Sequence, residues 1–182
     1  MTPRELLDAV KSQFQVMYLS APLLDTVLQR ALRAYQDKAG PVKLLTFADA
    51  ITTTAPVPAD FLDIAVAMDS EGRWHEAMLV ATNLTVTEQI GRSVKPFKVW
   101  YFVGMSSMNL ETGVLPVEST SVLFDYLTAL IEIPNTARAK EVAVTIGIQL
   151  ELPDEEALKQ RKDLLEQEMD ECRGIIPMAT VY

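Results

Sequence analysis

The spacing of apolar residues changes at Gly40-Pro41, and this change limits the possible folds more than any other feature of the sequence. Before it, apolar residues recur at three- and four-residue spacing, which is typical of a helix with one buried face. After it, Thr, Val, Phe and Trp alternate with polar residues between Pro and Gly turns, which is typical of strands. We therefore predict an α+β chain in which a β region follows N-terminal helices.

Two helices are predicted before this point. Thr2 and Glu5 form a capping box, so a first helix begins there and runs to about Tyr18. Ser20 is a second N-cap, and the helix after it ends at Gly40-Pro41. The apolar positions of this second helix are Leu24, Val27, Leu28, Ala31, Leu32 and Tyr35.

The chain from Val42 to about Leu130 is predicted to form a small antiparallel β region. Turn residues at Ser70-Glu71-Gly72 indicate a hairpin, and the stretch 83–91 suits a short helix. The segment 121–133 fits both a helix and a strand, and we favour the strand. The predicted strands are 43–52, 63–69, 73–80, 97–103 and 107–111.

Two more helices are predicted after Pro134. The first is capped by Asn135 or Thr136, and the second opens at 153–156 and ends at Gly174. The predicted fold is an α+β antiparallel helical bundle, with two N-terminal and two C-terminal helices, an inserted small antiparallel β region and an extended C-terminal tail. Its predicted parts are the N-terminal helices at 1–40, the β region at 41–133, the C-terminal helices at 134–173 and the tail at 174–182. The apolar residues of the first C-terminal helix include Val142, Ala143, Ile146 and Leu150.

Composition limits the functional classes. The chain has 182 residues, a net charge of -9 and one cysteine, Cys172. A single cysteine excludes an internal disulfide, and the acidic balance disfavours non-specific attraction to nucleic acid. The N-terminal sequence lacks the apolar core of a signal peptide, and there is no run of about twenty apolar residues. We therefore expect a soluble protein that is not exported and has no membrane partner.

No catalytic, metal or cofactor site is predicted. His75 is the only histidine and lies in the predicted hairpin, where a surface or half-buried strand residue is the simplest interpretation. Cys172 lies on the predicted apolar face of the last helix, where a thiol acts as a small apolar side chain. The acidic clusters at 154–156 and 166–171 are interpreted as charged helix faces, and the phosphate-binding and nucleophile motifs are absent. We therefore predict that the protein is not an enzyme.

The last nine residues, Gly174 to Tyr182, carry no charged side chain although they follow a strongly charged helix. Pro177 favours an extended conformation for this tail. The tail either folds back over its own core or binds a groove or sheet edge on a partner, and we favour the partner. The preceding helix is polar over most of its circumference, which suits either a solvated face or a subunit boundary.

The order of these elements resembles the head-tail connector (adaptor or head completion) proteins of tailed bacteriophages, from about residue 20 to residue 182. The stretches that carry the resemblance are LLDTVLQRALRAY, PVPADFLDIAVAMDSEGRWHEA, LFDYLTALIEIP and LPDEEALKQRKDLLEQEMDECR, with the apolar tail after them. The resemblance implies a ring of twelve copies in the virion neck, assembled in the host cytoplasm. This ring joins the portal protein to a tail or tail-terminator protein, and DNA passes through its lumen without specific binding.

The resemblance also assigns two sets of residues. The tail is expected to dock on the portal through Ile175, Ile176, Pro177, Met178, Val181 and Tyr182. Contacts between subunits are expected to involve Lys159, Arg161, Lys162, Glu166, Glu168 and Asp170. Two other classes stay open: a small cytosolic enzyme with a site built from scattered residues, and a chaperone or adaptor that binds apolar peptides.

Overall fold

The computed structural model describes residues 1–47, 52–88, 93–149 and 152–173. The chain divides into two compact units. A helical unit comprises Met1–Ala39 and Met105–Arg173, and a β unit comprises Gly40–Gly104.

Four α-helices form the helical unit: α1 (Pro3–Lys11), α2 (Ala21–Ala39), α3 (Thr120–Ile146) and α4 (Glu155–Glu171). A short 3-10 helix at Val117–Ser119 leads into α3. The core of the unit consists mainly of side chains from the first three of these helices that are almost completely buried, and Met169 of α4 joins them. They include Leu6, Leu7, Leu28, Leu32, Leu123, Tyr126, Leu127 and Ile131.

The start of α1 is the predicted capping box, because Thr2 Oγ1 accepts the Glu5 N–H and Glu5 Oε2 accepts the Thr2 N–H. The helix ends at Lys11 instead of continuing to about Tyr18. The side chain of Asn135 explains this early end: its Nδ2 donates to the Val16 carbonyl at 3.0 Å, and its Oδ1 accepts the Tyr18 N–H at 2.8 Å. These bonds hold the link between α1 and α2 out of the helical path.

The segment 121–133 is helical, so the preference for a strand was wrong. It belongs to the 27-residue α3, which also contains Pro134 and the first predicted C-terminal helix. Most of residues 122–131 are buried, and a helix buried on nearly all sides loses the apolar period that identifies a helix in sequence. Pro134 removes one hydrogen bond to the Leu130 carbonyl, but the helix continues through it. It ends at Gly147, whose φ of 72° is the left-handed conformation that favours glycine.

The β unit contains seven strands in two antiparallel sheets. The four-stranded sheet has the order β1-β7-β3-β4, and the three-stranded sheet has the order β2-β6-β5. The hairpin predicted around Ser70-Glu71-Gly72 is confirmed, since β3 pairs with β4 on either side of it. Phe47, Ala67, Val86, Phe97 and Val99 form a buried cluster in this unit. The strands are β1 (Val42–Thr46), β2 (Thr54–Pro56), β3 (Phe61–Met68), β4 (Trp74–His75), β5 (Ala77–Val80), β6 (Asn83–Val86) and β7 (Lys98–Val103).

The predicted fold class was therefore wrong. The chain is α+β with four helices, but its strands form two sheets within 42–103 and not one small region that extends to 133. Asn83–Val86 is a strand rather than the start of a short helix, with Leu84 and Val86 buried in alternation. The predicted strand at 107–111 is a turn, because Asn109 Oδ1 accepts the N–H groups of Glu111 and Thr112.

Candidate functional site

The helix α4 carries the residues expected at subunit contacts. Its buried side chains are Leu158 and Met169, which form a narrow apolar stripe that packs against the rest of the helical unit. Cys172 lies at the C-terminal end of α4. It was predicted on the buried face of the helix, but it is exposed. The remaining surface of α4 is strongly charged. A charged side chain of this surface is available to a second molecule only if it has no ionic partner within the chain.

The three bases of the expected subunit contact have carboxylate partners within the same chain. Lys159 Nζ lies 2.7 Å from Glu155 Oε1, one turn earlier on α4. Arg161 Nη1 lies 3.3 Å from Glu132 Oε2 on α3. Lys162 contacts two acids of its own helix, at 2.8 Å and 2.9 Å. Of these pairs, the one between Arg161 and Glu132 joins α4 to α3, whereas the others lie within α4, and the predicted contacts with a second copy stay a prediction.

Glu166 is the best-connected acid of α4. Its Oε1 accepts hydrogen bonds from Tyr126 Oη at 2.8 Å and from Lys162 Nζ at 2.9 Å, and its Oε2 lies 3.6 Å from Lys38 Nζ. Burial favours the neutral carboxyl, but these partners outweigh it, so the pKa of Glu166 lies below its usual value. Burial and the bond to Glu166 raise the pKa of Tyr126. Glu166 therefore joins α2, α3 and α4 as a charged carboxylate.

The other two acids of the expected contact differ from Glu166. Asp170 Oδ2 lies 3.4 Å from Lys38 Nζ, so it also pairs with α2. Glu168 is exposed, and no hydrogen bond or ion pair of its side chain is among the contacts of the described residues. Of the expected set, Glu168 is thus the acid with the greatest freedom to meet a second molecule.

A groove of about 490 Å³ lies between α2, α3 and α4. Its floor is apolar, and its rim carries three basic side chains and one acidic side chain. We call it the interhelix groove. Its lining residues are Val27, Arg30, Leu130, Ile133, Pro134, Lys159, Lys162 and Asp163. This groove could not be predicted from the sequence, because its lining comes from three helices that are far apart along the chain.

Arg30 differs from the other bases of the groove. It is exposed, and none of the described carboxylates lies within ion-pair distance of its guanidinium. Lys159 and Lys162 are both paired with acids of α4. Arg30 is therefore the basic group of the groove that remains open to an external anion.

The C-terminal end of α3 carries apolar side chains that were not expected to be exposed. Val142, Val144, Ile146 and Ile148 are all exposed, and 81% of Val144 is accessible. Of the predicted apolar positions of this segment, Ala143 is buried, whereas Leu150 lies outside the described residues. We call these four exposed side chains the α3 end. Val144 lies on a different side of the helix from Val142 and Ile146, because residues two apart on a helix do not face each other, so these apolar side chains surround the end of α3.

Asp69 is a buried carboxylate in the β unit. Its Oδ1 accepts the Arg73 N–H at 2.9 Å and its Oδ2 accepts the Val94 N–H at 3.2 Å. Burial favours the neutral acid, but these hydrogen bonds and the nearby His75 lower the pKa of Asp69 below its usual value. The carboxylate thereby fixes the turn of the β3-β4 hairpin.

His75 is only 2% exposed, so the interpretation as a surface or half-buried residue was wrong. Its Nε2 lies 3.4 Å from Asp69 Oδ2, which is ion-pair distance without the alignment of a hydrogen bond. Its Nδ1 lies 3.3 Å from the Thr87 carbonyl oxygen, and its ring contacts Phe97 edge to face. These contacts give His75 a structural role between the hairpin and the segment after β6.

The remaining predictions concern the C-terminal tail, metal binding and membrane spans. The six tail residues expected to dock on a portal, Ile175, Ile176, Pro177, Met178, Val181 and Tyr182, lie outside the described residues. In the part of the chain that the structure describes, no group of three or more His, Cys, Asp or Glu side chains is placed to hold a metal ion. No helix of the described ranges has the length and apolarity needed to cross a membrane.

Comparison with known proteins adds no relative. The sequence matches no protein-family model, and no curated protein is significantly similar to it.

Proposed function

We propose that the protein is a structural subunit of the neck of a tailed bacteriophage. Twelve copies form a ring that joins the portal protein to a tail or tail-terminator protein, and DNA passes through the ring. The protein assembles in the host cytoplasm, remains in the virion and catalyses no reaction. The resemblance in the order of elements supports this context, because both N-terminal helices and both C-terminal helices belong to one unit.

The exposed α3 end is the observation that carries the proposal. Val144 and Ile148 lie on the surface of the helical unit with no apolar cover among the described residues. Burying them against another molecule removes apolar surface from water, which favours association. A subunit whose function is assembly needs such a surface.

The net charge is consistent with a passage for DNA. With a charge of -9, the subunit repels a polyanion on average, so DNA moves past the ring without adhering to it. Each apolar tail, if it buries roughly 300 to 500 Å² on the portal, contributes roughly 8 to 12 kcal/mol before the cost of ordering the chain, which offsets most of it. Several such contacts in one ring act together through effective concentration.

The test uses a candidate portal protein from the same genome as this chain. We expect the full chain to bind this portal as a multi-subunit ring, and a variant that lacks residues 174–182 to remain folded and lose binding. Native mass spectrometry measures the stoichiometry, and circular dichroism checks the fold. A full chain that shows no affinity for the portal contradicts the proposal, and an unfolded truncation assigns the tail to the subunit's own core.

The interhelix groove supports a second candidate, a chaperone or adaptor that binds apolar peptide segments. Its volume of about 490 Å³ and its apolar floor suit a short aliphatic segment. Mass separates the two candidates: a connector forms large rings alone or on the portal, whereas a peptide-binding adaptor remains small and binds peptide at a ratio of one to one.

A further inference from the structure

We propose that the interhelix groove of one copy receives the α3 end of the next copy. The proposal rests on the self-association in the proposed function, and it assigns the two surfaces that meet. One of them is concave and the other projects, and both belong to the helical unit.

The two surfaces are chemically complementary. The floor of the groove includes Leu130, Ile133 and Pro134, and the α3 end offers the aliphatic side chains of Val144 and Ile148. A hydrogen bond from the Ile148 N–H to the Ala143 carbonyl, at 3.0 Å, holds Ile148 against the last turn of α3. The projecting surface is therefore ordered before it meets a partner.

The charges at the two surfaces also match. Arg30 at the groove has no ion-pair partner among the described carboxylates. Glu141 is three residues before Val144, so both lie on the same side of α3. Glu141 pairs with Arg138, but the two side chains are 68% and 65% exposed, and such surface pairs are weak and easily exchanged. Glu141 can thus pair with Arg30 of the next copy when the α3 end enters its groove.

The position of both surfaces on α3 determines how copies join. Ile133 and Val144 are separated by about 16 Å along the helix axis, at 1.5 Å per residue, so the α3 end cannot fill its own groove. One copy therefore gives its α3 end to one neighbour and its groove to another. This is a head-to-tail contact, which closes into a ring or continues as a filament and does not stop at a symmetric dimer.

Complementary variants of the full chain test the contact. Val144→Asp disables the α3 end, and Ile133→Asp disables the groove. We expect the wild-type chain to assemble beyond a dimer in analytical ultracentrifugation, and each variant alone to remain a monomer. An equimolar mixture forms a heterodimer, because each partner keeps one intact surface. The proposal is overturned if the mixture stays monomeric, if either variant assembles like the wild type, or if the wild-type chain is monomeric at every concentration.

A charge reversal provides a test that leaves the groove floor intact. Arg30→Glu and Glu141→Arg each weaken association about tenfold or more, and the double variant recovers most of this loss. Arg33→Glu, an equal charge change at an exposed site of α2 that pairs with Asp37, is the matched control. Single and double variants that associate equally exclude the Arg30 to Glu141 pair. Circular dichroism and the unfolding temperature establish that each variant is folded.

Portal binding separates this inference from the proposed function. If variants of the groove and of the α3 end still form the same ring on the portal, the contact is wrong and the proposed function stands. If the wild-type chain assembles through this contact but does not bind the portal, the contact stands and the phage neck function fails.

Discussion

The helix α4 and the α3 end are both highly exposed, but they differ in whether their side chains have partners within the chain. Most charges of α4 find partners within the chain, and Glu166 alone connects Tyr126, Lys38 and Lys162. The apolar residues of the α3 end, such as Val144, find no cover. Charged side chains on a surface can pair with each other within a folded chain. Apolar side chains that the folded chain leaves exposed are removed from water only when another molecule covers them.

The largest effect on the free energy of unfolding is expected for a substitution in the apolar stripe of α4, which consists of Leu158 and Met169. Met169 is fully buried, so Met169→Ala should lower the free energy of unfolding by about 2–5 kcal/mol. Leu164→Ala, at a position that is 66% exposed on the same helix, should change it by about 0.5 kcal/mol or less. Urea denaturation measures both. Equal losses would mean that α4 is not held by this stripe.

The next effect concerns pH and Glu166. Its folded-state pKa lies below the usual 4.5, so its contribution is fully present above pH 4.5 and is lost as pH falls through the folded pKa. Glu166→Gln removes this contribution. We expect the wild type to lose about 1–2 kcal/mol more than the variant between neutral and acidic pH. Glu168→Gln, at an exposed site of α4, is the matched control and should follow the wild-type pH curve.

A smaller effect on stability is expected at the α3 end. Val144→Ser should change the free energy of unfolding by about 0.5 kcal/mol or less, because the side chain is 81% exposed in the single subunit. It should nevertheless weaken self-association, which sedimentation at several concentrations measures. Ala143→Ser, at the adjacent buried position, should instead reduce stability. A large loss of stability for Val144→Ser would show that the α3 end packs within its own subunit.

The smallest effect is expected for Lys159→Ala. The Lys159 to Glu155 pair is exposed at both ends, so its loss should leave the unfolding temperature unchanged within error. Calorimetry at low and high salt checks this. A clear drop in the unfolding temperature at low salt would mean that the surface ion pairs of α4 contribute more to stability than their exposure implies.

Features that depend on a few adjacent residues could be predicted from the sequence. The capping box at Thr2 and Glu5, the helix that ends before Gly40 and the hairpin at Ser70–Gly72 all follow from local chemistry. The strand at Asn83–Val86 was missed because four residues give too short a pattern to decide.

Features that depend on distant contacts could not be predicted. The early end of α1 requires Asn135, and α3 gave an ambiguous pattern because it is buried on nearly all sides. The interhelix groove requires three helices that are far apart in sequence, and the exposure of Val144 depends on where α4 packs. The charged residues of α4 are visible in the sequence as a group, but their partners within the chain could not be predicted, and their role in subunit contacts stays a prediction.

The side chain of Asn135 also sets the order in which the chain can fold during synthesis. It binds Val16 and Tyr18, which are 119 and 117 residues earlier, and the whole β unit lies between them. The ribosome adds about 5–20 residues per second, so the link between α1 and α2 waits several seconds for its partner. The described residues of the β unit all lie within one continuous stretch of the sequence, so they need no such delay. A chain released before α3 is complete therefore contains a finished β unit and two helices without a core.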